Sequence, residues 1–125
     1  MCDGVIPVAI SAEQQDRVKM VMHAIVVAMR TVFGENLRQV LLYGSYARGE
    51  QDEYSDMDIM VLVNVTDNEV KQYNDAIVDV MSDISLKYGV LPTIIGKNYE
   101  HFYHWVPFLP FYQNVRTEGI EYYAN

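Results

Sequence analysis

The sequence predicts a single α/β domain, with helices packed on a small mixed sheet. Three observations carry that expectation. Segments with apolar residues at helical spacing alternate along the chain with short, continuous apolar runs of strand length. Glycines stand at Gly34, Gly44 and Gly89, where those segments would have to stop. No internal repeat, low-complexity tract or linker-like stretch interrupts residues 1–125, so the chain reads as one domain with one core.

The elements follow in order. After a short apolar lead-in, Ser11 followed by Gln14 resembles a capping box. Val18, Val21, Met22, Ile25, Met29 and Val32 then recur at helical spacing up to Gly34. The most apolar part, Met20 to Met29, falls short of the roughly 20 residues a membrane span needs and reads as a core helix. Gln39 to Tyr43 (QVLLY), ending at Gly44, suits a buried strand, and Met57 to Val65 (MDIMVLVNV) a second. Asp67 is expected to cap a long helix whose apolar face is Val70, Tyr73, Ile77, Val80, Met81 and Ile84, stopping at Gly89. Val90 to Ile95 (VLPTII) reads as a third strand, which Pro92 confines to a sheet edge or starts late. Tyr99 to Trp105 is expected to form one or two helical turns. Pro107 and Pro110 break the chain, and a last short helix runs from about Pro110 to Arg116.

Composition narrows the partners. The formal net charge is −8, and no basic stripe appears of the kind that holds long nucleic acids. A nucleoside triphosphate stays open, because a divalent cation reverses the local charge. Cys2 is the only cysteine, which excludes an internal disulfide and a cysteine-based zinc site and fits a reducing cytoplasm. The N-terminus lacks a basic region followed by an apolar core and a cleavage site, so no signal peptide is expected.

The chemistry concentrates in Gly44-Ser45-Tyr46-Ala47-Arg48-Gly49, followed after five residues by Ser55-Asp56-Met57-Asp58. Gly44 lets backbone approach a ligand where a strand ends. A helical turn opening at Ser45 would present free N–H groups to a phosphate, and the Ser45 hydroxyl adds a donor. Asp56 and Asp58 are two apart on a strand, so both carboxylates leave one side, with Cα atoms roughly 7 Å apart. Without a cation they repel, by about 4 kcal/mol at 4 Å and an effective dielectric near 20. Glu50, Asp52 and Glu53 add to that field. Such a cluster invites Mg²⁺, which takes one or two carboxylates plus phosphate oxygens. An Asp-x-Asp alone usually marks a solvated edge, and a lone Gly-Ser after a strand is just a turn. The joint pattern is what carries information.

That joint pattern, LLYGSYARGEQDEYSDMDIMVLV, resembles the signature of the DNA polymerase β-like nucleotidyltransferase superfamily, and of its minimal nucleotidyltransferase branch in particular. The match covers Leu41 to Val63, and the order of helices and strands extends it. The resemblance implies a palm-like nucleotidyltransferase fold in which Gly44 and Ser45 hold the triphosphate of ATP or another NTP. It makes Asp56 and Asp58 the catalytic, Mg²⁺-holding carboxylates. Arg48 is assigned to phosphate contacts or to bracing the loop, against a plain surface pairing with Glu50 or Asp52. Complete members carry a third carboxylate on the third strand as general base, whereas VLPTII has none and places Thr93 there. Loss of a general base typically costs a factor of about 10² to 10⁴. Glu100 is the nearest candidate substitute.

Other features are weighed against packing. His101 and His104 have a spacing that metal ligands use, yet lie among aromatics that favour packing. His23 reads as a core or boundary histidine. The aromatic residues from Tyr99 to Tyr123 exceed what so small a core can take, so some either form a partner or self-association surface or cover the open sheet face. In the resembled branch, minimal nucleotidyltransferases act as antitoxins that pair with HEPN-class helical toxins, some by transferring AMP to a toxin tyrosine. Three functions follow as expectations: transfer of a nucleoside monophosphate to a partner's hydroxyl, a catalytically silent docking module, or adenylylation of a small aminoglycoside-type acceptor.

Overall fold

In the computed structural model, which describes residues 12–125, the helical spacing of the first segment becomes α1 (Ala12–Phe33). Its buried stripe is Val21, Met22, Ile25, Met29 and Phe33, while His23 lies on the exposed face rather than at the core. Ser11, half of the predicted capping box, and Cys2 lie outside the described residues. A 3-10 turn at Gly34–Asn36 leads into β1 (Leu37–Tyr43), then α2 (Ser45–Arg48) and β2 (Met57–Val63). The crossover from β2 holds α3 (Asp67–Val70), a 3-10 turn and α4 (Asn74–Tyr88), and returns as β3 (Pro92–Asn98). The chain continues through α5 (Tyr99–Trp105) and α6 (Pro110–Glu118) to β4 (Ile120–Ala124).

The four strands form one mixed sheet in the order β3-β2-β1-β4. The β1–β2 and β1–β4 pairs are antiparallel, and β2–β3 is parallel. Residues 40–43 of β1 and 59–63 of β2 are unbroken apolar runs because both faces of the sheet are covered there. On one face Val40, Leu42, Ile59 and Val61 pack with α1 and α4. On the other, Leu41, Tyr43, Met60 and Leu62 pack with Phe102, Tyr112 and Val115 of α5 and α6. The predicted mixed sheet flanked by helices is therefore the observed fold.

Two elements depart from the sequence reading, the second helix and the last strand, while the third strand bears it out. The long second helix is divided: Thr66, not Asp67, is the cap, in a reciprocal box with Glu69. Asp67 is spent elsewhere, accepting from the Asn98 N–H at 2.8 Å and meeting His101 Nδ1 at 2.5 Å, which staples α3 to the start of α5. The third strand does both things expected of Pro92, starting late at that residue and lying at the sheet edge, two placements that tolerate a missing N–H. The fourth strand was not foreseen. Its sequence IEYYA alternates weakly because the strand is an edge whose side chains stay exposed or half-buried.

The aromatic C-terminal part resolves both ways. Phe102 is fully buried and Tyr112 nearly so, covering the second sheet face. Trp105, Phe108, Leu109 and Phe111 remain exposed at the α5–α6 corner. Among the described residues, no helix is long and apolar enough to cross a membrane.

Candidate functional site

Sheet topology brings distant chemistry to one end of the sheet. β1 ends where antiparallel β2 begins, so Tyr43 pairs with Asp58 and Gly44 follows at once. Parallel β3 begins at the same end, with Thr93 beside Asp58. The antiparallel β4 starts there too, which delivers Glu118 from the end of α6.

Gly44 has φ 76° and ψ −153°, a region essentially reserved for glycine. A Cβ on it would overlap Asp58 Oδ2 and stand 3.3 Å from Asp58 Cγ. The glycine therefore does two things: it turns the strand into α2, and it makes room for the second aspartate. Its carbonyl accepts from the Ala47 and Arg48 N–H groups at 3.0 and 3.1 Å, so residues 45–48 do form the expected helical turn. Gly49 closes that turn in the left-handed region. The first N–H groups of such a turn have no partner within it and point outward.

The loop before β2 is built by Asp52. Its Oδ1 accepts from the Tyr54 N–H at 2.8 Å, and the Asp52 N–H donates to Ser55 Oγ at 2.9 Å. This fixes the approach to Asp56. Asp56 is exposed and Asp58 half-buried, on the sheet face that α5 and α6 cover. Burial raises the Asp58 carboxyl above its ordinary value, and the charge of Asp56 raises it further, while Arg48 pulls the other way. Tyr43, buried and beside Asp58, is pushed up to about 12 by burial first and by that carboxylate second.

Arg48 braces the loop. Its Nε donates to Glu50 Oε1 at 2.7 Å and its Nη1 to Glu118 Oε1 at 3.0 Å, tying α2 to the end of α6. Sequence reasoning reached Glu50 but missed Glu118 and Tyr43. Tyr43 adjoins the motif and could have been flagged as the last strand residue. Glu118 lies 70 residues away and only the unforeseen β4 brings it in.

Thr93 does stand beside Asp58, and β3 carries no acid at any position. Glu100 is no substitute. It lies beyond Asn98, which pairs with Val63 at the far end of β2, about 17 Å along the strand from the Thr93 level. His101 is taken up by Asp67, and among the described residues no group of three or more His, Cys, Asp or Glu side chains gathers into a metal cage. Two carboxylates with oxygen donors only, at a solvent-facing end, suit Mg²⁺ that completes its shell with phosphate and water.

The shifted carboxyls give a signed expectation. A carboxyl raised in the folded state, as in Asp58, contributes stability at acidic pH that is lost as pH rises through the raised value. For Asp67, burial pushes upward but hydrogen bonds from the Asn98 N–H and His101, helped by Lys97, outweigh it and leave the carboxyl lowered. Its contribution is present above the ordinary carboxylate value and is lost as pH falls through the lowered one. In metal-free thermal melts at neutral pH, Asp58→Asn is expected to stabilise the protein and Asp67→Asn to destabilise it. The reverse order would contradict this electrostatic picture.

Residues 28–122 match the model of the nucleotidyltransferase domain family. Two proteins of Methanocaldococcus jannaschii are similar in sequence. "Putative protein adenylyltransferase MJ0604" is 32% identical over 92 residues, spanning 74% of this chain and 84% of that protein. "Putative protein adenylyltransferase MJ0141" is 39% identical over 93 residues, spanning 73% of this chain and 84% of that protein. Among solved structures, one described as a toxin-antitoxin with AMP-PNP superposes with a TM-score of 0.57 at 21% identity, covering 82% of this chain and 73% of that one. At that identity it speaks for the fold.

Proposed function

This chain belongs to the nucleotidyltransferase domain family, and on that premise we propose that it binds ATP with Mg²⁺ and transfers AMP to a hydroxyl of a partner protein. The observation that carries the reading is the placement of Asp58 against Gly44 and beside Asp56 at the mouth of a helical turn. Similarity to proteins named as protein adenylyltransferases supports a protein acceptor, and the toxin-antitoxin neighbour supports a toxin partner, of the HEPN class by resemblance.

Each residue then has a task. Gly44 and Ser45, with the first N–H groups of α2, hold triphosphate oxygens. Asp56 and Asp58 hold the cation, which when bound neutralises charge on the leaving pyrophosphate. Arg48, occupied by Glu50 and Glu118, keeps α2 in register over the aspartates and acts as a positioning residue. The exposed Trp105, Phe108, Leu109 and Phe111 give the partner an apolar seat, joined to the site through the Phe111–Tyr43 ring contact at 5.8 Å.

A second reading has its own observation. With Thr93 beside Asp58 and no acid in β3, no general base faces the acceptor, which favours a silent module that neutralises its partner by docking. Co-incubating the chain, ATP, Mg²⁺ and a co-purified partner separates the two. Transfer predicts that the partner gains the mass of AMP, and that Asp56→Asn abolishes the gain. Stable complex formation with no mass change, in a protein that binds ATP, would instead establish the docking reading.

A further inference from the structure

We propose that Tyr54 is a nucleotidylylation site of the chain itself, an inference that rests on the transfer activity proposed above. The chain has ten tyrosines, and Tyr54 alone stands well out in solvent, 80% exposed. The others are buried or half-buried, and several hydroxyls or rings are already engaged, as where Tyr103 donates to Gln39 Oε1 at 2.5 Å. Tyr54 stands two residues before Asp56, in the loop that delivers both aspartates to the sheet end. Asp52 fixes that loop through the Tyr54 N–H, so the backbone is ordered while the phenol stands in solvent. An accessible hydroxyl on an ordered loop, two residues before Asp56, is the acceptor that proximity along the chain favours.

The missing acid in β3 bears on which hydroxyl reacts. Without a general base, an acceptor must give up its proton with little help, and a phenol does so far more readily than an aliphatic alcohol. The step balances without any further reagent. The phenolic oxygen bonds to the α-phosphorus of the triphosphate, the bond from that phosphorus to the β-bridging oxygen breaks, pyrophosphate leaves and the proton passes to water.

The test is to incubate the whole chain with ATP and Mg²⁺ and read intact and peptide masses, with calorimetric ATP binding measured on the same samples. The expected result is a gain of one AMP on the peptide containing Tyr54. It should be lost in Tyr54→Phe, while that variant binds ATP with Mg²⁺ as the wild type does. An exposed loop phenol contributes little to folding, so the variant should remain folded. Wild type that binds ATP but carries no adduct overturns this inference and leaves the nucleotide site intact. So does an adduct that persists in Tyr54→Phe or maps elsewhere. Absence of ATP binding itself overturns the site and this inference together.

Discussion

Gly44→Ala is expected to lower AMP transfer by about 10² or more while costing about 1 to 3 kcal/mol of stability. Two separate reasons converge on this atom. The backbone at φ 76° and ψ −153° is strained for any residue with a Cβ. The new methyl also occupies the space of the Asp58 carboxylate, which must move to accept it. A displaced Asp58 would no longer hold a cation together with Asp56. Gly49→Ala is the control, because Gly49 has φ 71° but nothing within 4 Å of its would-be Cβ. It should show backbone strain of about 1 kcal/mol and near-normal ATP affinity. Equal losses of function in the two variants would contradict the claim that Gly44 exists to seat Asp58.

Phe102→Ala is expected to cost about 3 to 5 kcal/mol, read by denaturant unfolding. Phe102 is fully buried at the centre of the second, smaller core cluster, with ring contacts to Tyr103 at 5.0 Å and Tyr112 at 4.8 Å. Few residues stand nearby to collapse into the gap, since α5 and α6 are short and joined through Pro107 and Pro110. Total stability of a domain is about 5 to 15 kcal/mol, so this single truncation takes a large part of it. The sheet face that carries Asp58 is the one uncovered. A loss under about 1 kcal/mol would mean that α5 and α6 are not packed as a core.

Legibility in the sequence followed the range of the interaction. The helix α1, the central strands and the Gly44 turn rest on periodicity and on glycine, both local signals, and each was read within a few residues. Asp58, the second residue of β2, was legible for the same reason, whereas Asp56 precedes the strand, beyond the reach of alternation, and its nearness shows in the charge it exerts on Asp58. Thr66 was passed over in favour of Asp67 because either residue can cap, and only the Asn98 and His101 contacts show where Asp67 is used. The last strand and Glu118 were hidden because edge pairing with β1 is set by topology, with Leu42 paired to Ile120 across 78 positions of chain. Tyr43 illustrates a middle case. Its burial was foreseeable, whereas its pairing with Asp58 depended on strand register.

The central claim is that the sheet end formed by Gly44, Ser45, Asp56 and Asp58 is a metal-dependent nucleotide site. Titrating ATP into the protein in a calorimeter, with and without Mg²⁺, tests it directly when the Asp56→Asn/Asp58→Asn double variant is run beside the wild type. The account predicts binding that requires Mg²⁺ and vanishes in the double variant, whose fold stays intact because the substitutions remove charge and keep shape. A folded wild type that fails to bind, or a double variant that binds as tightly as wild type, would contradict it.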